Sequence, residues 1–265
     1  MHFKDKIVWL TGGSSGIGES LTYNLLNLGA TVIASSEDQE GLERVQSMCS
    51  EETRSRCHIV MFDLTRLENI EQIVREQVEK FGRIDILMNI SGISQRSLIK
   101  ETSMDIYRKI MEINYFGTIA FTKAVLPYMI QQGGGQIVAT SSIAGKFGFP
   151  LRSAYSSAKH ALHGFYETLR LESLNDNIRV TILVPGRVQT NISVHSLTRD
   201  GTAHGKMDPG QASGITPEKA ARQIIRAIRK NKKEALIGGK ELLMVYLKKY
   251  LPFIFYKIAS KIEPT

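Results

Sequence analysis

The chain has 265 residues, of which 42% are hydrophobic and 23% are charged, and its formal net charge is +8. These values are typical of one globular domain with a buried core, and they exclude a disordered chain. The two cysteines, Cys49 and Cys57, match no disulfide framework or zinc pattern, so we expect a reducing compartment and no metal. The basic residues are scattered and form no recognisable nucleic-acid module, so nucleic acid is not an expected partner.

The first predicted element is a strand over the apolar run Ile7-Val-Trp-Leu10. The residues before it carry no apolar leader, so we expect neither a signal peptide nor a membrane anchor, and a cytoplasmic protein. Thr11-Gly-Gly-Ser-Ser-Gly-Ile-Gly18 follows directly and predicts a turn with a helix beginning near Gly16. A strand, a Gly-rich turn and a helix in this order are typical of the phosphate-binding opening of a dinucleotide fold.

Each glycine of this turn has a predicted task. Gly12 would make the tight turn, Gly16 would let the backbone approach a pyrophosphate, and Gly18 would let the helix pack closely on the strand. The spacing is Gly-x-x-x-Gly-x-Gly rather than the commoner Gly-x-Gly-x-x-Gly.

The remaining elements alternate between strand and helix up to residue 237. This pattern predicts a single-domain α/β fold in which helices cover both faces of a doubly wound, Rossmann-type parallel sheet. Right-handed crossovers would place the carboxyl ends of the strands at one edge, where ligands bind. The predicted strands are 29–34, 58–62, 84–88, 136–140, 179–184 and 234–237, and the predicted helices are 39–51, 67–81, 115–130, the segment around 155–166, and 217–229.

Tyr155 and Lys159 lie four residues apart in a segment with the residue choices of a helix, so they share one face. A nearby cation favours the phenolate, and we therefore predict that Lys159 lowers the pKa of Tyr155 below its free value of about 10. A phenol tuned in this way can exchange a proton near neutral pH. The alternative is a surface tyrosine and lysine that share a helical face without a chemical role.

Two segments depart from the alternation. Residues 190–216 are irregular and rich in Gly and Pro, and a loop of this length in a compact domain is usually functional. Residues 240–265 form an amphipathic extension to the domain of residues 1–239, and no apolar run in it reaches the roughly 18 residues of a membrane span. It would cap the substrate pocket or join subunits; contact of 240–262 with an anionic membrane surface is the alternative.

The Gly-rich turn and the Tyr155/Lys159 pair resemble the short-chain dehydrogenase/reductase family, which has this glycine spacing and keeps its catalytic pair at these positions. The resemblance covers residues 4–237. It implies an oxidoreductase that moves a hydride between NAD(H) or NADP(H) and an apolar carbonyl or secondary alcohol. Segments 93–97, 115–117, 152–155 and 190–194 resemble the member 7 group of dehydrogenase/reductases.

The resemblance also implies catalytic roles. Ser142 lies thirteen residues before Tyr155 and would hydrogen-bond the carbonyl oxygen, with Ser141 as the fallback, while Tyr155 would protonate that oxygen. Lys159 would hold the ribose and relay protons, and Asn114 would hold a water in the relay. Without the resemblance, Asn114 is better interpreted as a solvated or helix-capping residue.

The cofactor site is implied in the same way. Asp63 would bind the adenine amino group, a role compatible with capping a helix, Asn89 would brace the sheet, and Gly92 would approach the cofactor. The family has Asn and Ala where this chain has Ile90 and Ser91. The implied cofactor-binding residues are Gly12, Ser14, Ser15, Gly16, Ile17, Gly18, Ser36, Glu37, Asp63, Leu64, Asn89, Gly92, Tyr155, Lys159, Pro185, Gly186, Val188 and Thr190, the last two at the nicotinamide carboxamide.

The end of the second strand predicts NAD(H) as the preferred cofactor, with NADP(H) as the alternative. Ser36 stands where NAD enzymes usually have Asp, and Glu37 stands where many NADP enzymes have Arg. Ser15 stands where another NADP subgroup has a basic residue. A carboxylate at 37 would repel a 2′-phosphate, and no Lys or Arg precedes Arg44 in this segment to compensate.

Two further expectations concern assembly and turnover. The family usually buries the faces of its fifth and sixth helices between subunits, so we expect a homodimer or homotetramer. A non-catalytic scaffold or redox sensor on the same fold is the rival to an enzyme, because fold alone does not fix function.

Overall fold

The computed structural model describes residues 2–261 and contains one sheet of seven strands. The strands are β1 (Ile7–Thr11), β2 (Thr31–Ser36), β3 (Cys57–Met61), β4 (Ile86–Asn89), β5 (Gly135–Thr140), β6 (Ile178–Pro185) and β7 (Glu234–Ile237). All neighbouring strands are parallel, in the order β3-β2-β1-β4-β5-β6-β7. The winding direction reverses between β1 and β4, and their carboxyl ends form the crevice where such sheets bind ligands.

Helices cover both faces of the sheet, so the predicted doubly wound α/β fold is confirmed. The helices are α1 (Gly16–Asn27), α2 (Gln39–Ser47), α3 (Glu51–Arg54), α4 (Leu67–Phe81), α5 (Met104–Met111), a π-helix (Glu112–Gly117), α6 (Thr118–Gln131), α7 (Ser153–Glu172), α8 (Pro209–Ala212), α9 (Pro217–Arg229), α10 (Leu243–Tyr250) and α11 (Pro252–Ala259).

Side chains alternate along β1 and divide the core into two layers. Val8 and Leu10 belong to the layer that includes α1 and α9, whereas Trp9 points into the layer that includes α4, α6 and α7. The ring of Trp9 is fully buried and packs edge-on against Phe121 of α6, with 4.8 Å between the ring centroids. Each face of the central strand is therefore covered by helices.

Three element boundaries differ from the predictions. The predicted helix 39–51 is divided into α2 and α3, because Ser50 has an extended backbone and begins a second helix. The predicted helix 115–130 begins at residue 104 and runs through α5 and the π-helix into α6. The fourth strand begins at Ile86 rather than 84, because the backbone amide and carbonyl of Ile84 bond to the Gln132 side chain instead of a neighbouring strand.

The predicted irregular loop, here called the substrate loop (residues 190–216), is folded over the carboxyl edge of the sheet. It contains α8, and single bridges join Leu197 to Ala203 within it and Val188 to Ile215 at its base. Gln211 donates hydrogen bonds to the Val188 carbonyl and to the Thr190 hydroxyl. These contacts hold the loop against the last turn of chain after β6.

The described part of the C-terminal extension forms α10 and α11, and residues 262–265 of the predicted amphipathic segment lie outside the described residues. Phe255 is only 3% exposed, and its ring packs against Phe147 with 4.8 Å between the centroids. Phe253, by contrast, is 72% exposed. Within residues 2–261, none of the helices has the length and hydropathy that crossing a membrane requires.

Candidate active site

The Gly-rich turn after β1 has the conformation that its sequence predicts. Gly12 and Gly16 have φ angles of +71° and +56°, which favour glycine. A Cβ on Gly18 would collide with the Gly12 carbonyl, and a Cβ on Gly16 would lie 2.9 Å from Thr190 Cγ2. Ser15 makes no side-chain cap, so the first amides of α1 stay available to an anion. The turn therefore fits a pyrophosphate.

A cavity of about 480 Å³ opens beside this turn and extends along the ends of β1, β2 and β4. Asp63 and Leu64 line it. The Asp63 carboxylate accepts hydrogen bonds from the amide and hydroxyl of Thr65, each at 2.8 Å, whereas Arg66 is the residue that begins α4. The helix-capping role of Asp63 is therefore wrong, and its carboxylate stands at the cavity wall.

The end of β2 gives this cavity an acidic rim. Glu37 is exposed and lines the cavity together with Asp38, which sequence analysis missed. Arg44 also lines it, but its guanidinium is held by the Glu19 carboxylate at 2.7 and 2.8 Å and by the Ser14 carbonyl at 2.9 Å. The one arginine at this rim is thus already paired with a carboxylate among the described residues.

A second cavity of about 180 Å³ adjoins the first and shares Ile17, Gly92 and Thr190 with it. Two ligands bound in the two cavities would therefore meet. The predicted residues that line the second cavity are Ser142, Tyr155, Lys159, Pro185, Gly186 and Val188, together with Ile17, Gly92 and Thr190.

Ser142 and Tyr155 line the same cavity, and the Ser142 hydroxyl acts on the Tyr155 phenol. Ser142 Oγ also accepts from the Ala144 amide at 3.1 Å. Ser141 Oγ instead donates to the Lys159 carbonyl at 2.9 Å, which ties β5 to α7. The fallback residue therefore braces the site, and Ser142 is the serine that faces Tyr155.

The expected effect of Lys159 on the Tyr155 pKa is not what the structure gives. Burial raises the pKa of Tyr155, while the Ser142 hydrogen bond and the charges of Arg152 and Arg96 oppose that rise. Lys159 Nζ lies 5.7 Å from the Tyr155 ring centroid and donates to the Thr140 carbonyl at 2.7 Å. Burial lowers the pKa of Lys159 itself to about 8. The predicted sign is wrong because burial is the largest influence on the pKa of Tyr155, and the charges that oppose it are those of Arg152 and Arg96.

Asn114 is fully buried in the π-helix, so its interpretation as a solvated or capping residue is wrong. Its Nδ2 donates to the Ile93 carbonyl at 2.9 Å, and its Oδ1 accepts from the Ile93 amide at 3.0 Å. A Cβ built on Gly92 would lie 2.6 Å from Asn114 Oδ1 and 3.2 Å from Lys159 Nζ. Asn114 thus fixes the turn that passes beside the lysine.

Asn89 lies behind the site rather than in it. Its Nδ2 donates to Thr122 Oγ1 at 2.9 Å and to the Tyr166 hydroxyl at 3.0 Å, which joins β4 to α6 and α7. It lines neither cavity, and its hydrogen bonds fit the predicted role in bracing the sheet, while cofactor binding by Asn89 stays a prediction. Every other predicted site residue except Asn114 lines one of the two cavities.

Four charged residues of the second cavity were not predicted, namely Arg187 and a cluster of three, Arg96, Arg152 and Asp208. The Asp208 carboxylate accepts from Arg96 Nε at 3.0 Å and from Arg152 Nη2 at 2.8 Å. Arg152 directly precedes the helix that carries Tyr155, but Asp208 is 56 residues further along the chain. Only the folded substrate loop brings the three together.

Comparisons with known proteins agree with this geometry. The family model described as "short chain dehydrogenase" matches residues 6–200. "Dehydrogenase/reductase SDR family member 7B" of Xenopus tropicalis is 38% identical over 265 residues, which cover 98% of this chain and 86% of that protein. "Dehydrogenase/reductase SDR family member 7" of Homo sapiens is 39% identical over 262 residues, which cover 97% of this chain and 77% of that protein. The predicted resemblance to the member 7 group is confirmed.

Solved structures share the whole fold. A short-chain dehydrogenase from Streptomyces avermitilis superposes with a TM-score of 0.80 at 27% identity, covering 97% of this chain and 96% of that chain. Structures from Burkholderia phymatum, in complex with NAD, and Burkholderia cenocepacia, in complex with NADP, have TM-scores of 0.82 and 0.81 at 21% and 22% identity, and cover at least 98% of each chain. The chain therefore belongs to the short-chain dehydrogenase family, and it is an oxidoreductase with a site for a nicotinamide cofactor.

Proposed function

We propose that this protein transfers a hydride between a nicotinamide cofactor and a carbonyl or secondary alcohol carbon, with Ser142 and Tyr155 at the reacting oxygen. The observation that supports this most is that Ser142 and Tyr155 line one cavity, which adjoins the cavity at the Gly-rich turn, with Lys159 buried beside Tyr155. One hydroxyl positions the substrate oxygen and the other supplies its proton.

The side chains divide the chemistry as follows. When bound, the cofactor supplies or accepts the hydride. Ser142 donates a hydrogen bond to the carbonyl oxygen and Tyr155 protonates that oxygen during reduction. Since burial raises the pKa of Tyr155, the phenol carries its proton at neutral pH and acts as the acid. Lys159, with a pKa near 8, can exchange a proton under the same conditions, and Asn114 positions the turn beside it.

The residues around the larger cavity fit NAD(H) better than NADP(H). The Gly-rich turn would hold the pyrophosphate, and Pro185, Gly186, Val188 and Thr190 would hold the nicotinamide end. At the other end, Glu37 is exposed at the rim and Arg44 is paired with Glu19. A 2′-phosphate would meet a carboxylate there and no free guanidinium among the described residues.

The test is a screen of ketones and secondary alcohols with each cofactor, in which the absorbance of the nicotinamide measures turnover. For any substrate accepted, Tyr155→Phe should lower kcat by about 100-fold or more, because the general acid is lost while the ring still packs. The cofactor Kd should stay within a few-fold of the parent value. Tyr250→Phe, which makes the same change at an exposed tyrosine, is the control.

The rival scaffold gives a different result. It binds the cofactor, turns over none of the substrates, and shows no difference between the parent and Tyr155→Phe. Near-parental turnover by Tyr155→Phe would instead mean that another group supplies the proton.

A further inference from the structure

The smaller cavity carries a charged cluster that the proposed proton transfer does not use. Arg96 and Arg152, here called the arginine pair, share the carboxylate of Asp208. The side chains of Arg96 and Asp208 are 3% and 4% exposed, and that of Arg152 is 19% exposed. All three line the cavity that also holds Ser142 and Tyr155.

The two arginines differ in how fully their donors are used. Arg96 gives Nε and Nη2 to Asp208, and Nη1 to Ser94 Oγ at 3.0 Å and the Gln95 carbonyl at 2.6 Å. Arg152 donates from Nη2 to Asp208 at 2.8 Å and from Nη1 to the Pro150 carbonyl at a long 3.5 Å, and its Cζ lies 5.8 Å from the Phe149 ring centroid. Within residues 2–261, Arg152 therefore keeps N–H groups that can bind a ligand.

The charges of the cluster do not cancel. Two guanidinium groups face one carboxylate. Asp208 is the only acidic residue among the described residues that line this cavity. Two further basic residues, Arg187 and Lys159, also line it. Burial lowers the pKa of Arg152 to about 10, which reflects the cost of holding this charge away from water. A buried charge without a partner destabilises a protein, and an anionic ligand would complete the pair.

The surplus charge lies close to the reacting group. Arg152 comes directly before α7 and Tyr155 is its third residue, so the two are neighbours along one helical turn. The charges of both Arg152 and Arg96 act on the Tyr155 phenol. An anion held by the arginine pair would therefore lie within a few bonds of a carbonyl whose oxygen meets Tyr155. The rim of the larger cavity is acidic, so this surplus is specific to the substrate side.

We propose that Arg96 and Arg152 form an oxyanion-binding subsite, and that the substrate is a carbonyl compound or alcohol with a carboxylate or phosphate group a few bonds from the reacting carbon. The proposal rests on the function proposed above. Asp208 holds the two guanidinium groups in place and leaves one positive charge for the substrate.

The experiment compares matched compounds that differ only in charge. Benzoylformate is paired with its methyl ester, and phenacyl phosphate with phenacyl alcohol. For each, we measure kcat/KM and, independently of turnover, the Kd for the protein saturated with cofactor by calorimetry. We expect the anionic member of at least one pair to be preferred by about 10-fold or more, in line with charge-assisted hydrogen bonds to a partly buried arginine. The preferred pair distinguishes a carboxylate from a phosphate.

Two variants should shift this preference in opposite directions. Arg152→Gln removes the surplus charge but keeps a donor for Asp208. It should reduce the ratio of kcat/KM for the anionic compound to kcat/KM for the neutral compound by about 10-fold. Asp208→Asn removes the negative charge of the cluster and so raises its net charge by one, and it should increase the same ratio. Arg199→Gln is the matched control, because Arg199 is an exposed arginine of the substrate loop that lines neither cavity. That variant should leave the ratio unchanged.

The outcomes separate this proposal from the proposed function. If the parent reduces the neutral ketones and shows no preference for the anions in turnover or in Kd, the function stands and the oxyanion subsite is wrong. If both variants lose kcat/KM and affinity equally for charged and neutral compounds, the cluster only holds the substrate loop in place. If nothing is turned over, a selective Kd for the anions that Arg152→Gln removes still supports the subsite, while the proposed catalysis fails.

Discussion

Lys159 and Tyr155 lie one helical turn apart. Burial raises the pKa of the phenol and lowers the pKa of the ammonium, so it favours the neutral form of each group. Spacing in the sequence identifies the pair, but it carries no information about how much water reaches it. The sign of a pKa shift depends on the balance between desolvation and nearby charge. Here desolvation destabilises the charged form of each group by more than the neighbouring groups stabilise it.

The buried ammonium predicts a pH-dependent stability. Its pKa falls from 10.5 in the unfolded chain to about 8 in the folded protein. Between these values the unfolded chain keeps a proton that the folded protein has lost, so stability rises with pH across this window. Below it, the charged amine destabilises the folded state by roughly 3 kcal/mol, because each tenfold loss of proton affinity corresponds to about 1.4 kcal/mol.

We therefore compare the free energy of unfolding in urea of Lys159→Met with that of the parent. The variant should gain more stability relative to the parent near neutral pH than at about pH 10. Lys123→Met, at an exposed lysine of α6, should give a difference that does not change with pH. A constant difference for Lys159→Met would mean that the amine stays charged throughout.

Glu37 decides the cofactor in our interpretation. The parent should bind NAD(H) more tightly than NADP(H), and Glu37→Arg should reverse the order by replacing a repulsive carboxylate with a cation. Calorimetric Kd values for both cofactors measure this. Glu40→Arg, an exposed change on α2 outside both cavities, is the control. Tighter binding of NADP(H) than of NAD(H) by the parent would contradict the predicted preference.

At the level of whole elements, the apolar period predicts the central strands and the long helices well. It fails where a single residue changes the backbone. Ser50 divides one predicted helix into two, and Gln132 delays the start of β4 by bonding to the backbone of Ile84. The π-helix around Asn114 is missed because a polar residue in an apolar helical pattern resembles an interruption of the helix.

The site divides along the same lines. Gly12, Asp63 and Ser142 lie within two residues of the carboxyl end of a strand, where ligands bind in parallel sheets, and the family resemblance implied the roles of Asp63 and Ser142. Arg96 and Asp208 are 112 residues apart, and only the folded substrate loop joins them. No local pattern marks such a pair.

The turn after β6 and the start of the C-terminal extension form a coupled unit. Glu241 Oε1 accepts from the Arg187 amide at 2.9 Å and from the Gly239 amide at 3.0 Å, and a Cβ on Gly186 would collide with this carboxylate. Gly186→Ala should weaken cofactor binding by displacing Glu241 from the turn. The penalty should shrink in a Glu241→Ala background, which a double-mutant cycle on cofactor Kd and unfolding free energy measures. Additive effects would mean that the two residues act separately.

For the molecule as a whole, the extension places an apolar and basic surface outside the site. None of the described residues from Lys240 to Lys261 lines either cavity. Phe255 anchors α11 on Phe147, which leaves Tyr246, Tyr250 and Phe253 exposed. Lys249 lies 5.1 Å from the Tyr250 ring centroid. Aromatic rings mixed with lysines suit an anionic membrane surface.

We therefore expect the protein to float with vesicles that contain phosphatidylserine at low salt, and to float less with phosphatidylcholine alone or at high salt, because screening weakens contact between exposed charges. Phe253→Ser should reduce flotation, since it removes an exposed ring without touching Phe255. Leu174→Ser, a similar change at an exposed apolar residue beyond α7, should not. If the protein stays at the bottom of the gradient at low salt, and light scattering gives a larger mass for the parent than for Phe253→Ser, the surface joins subunits instead.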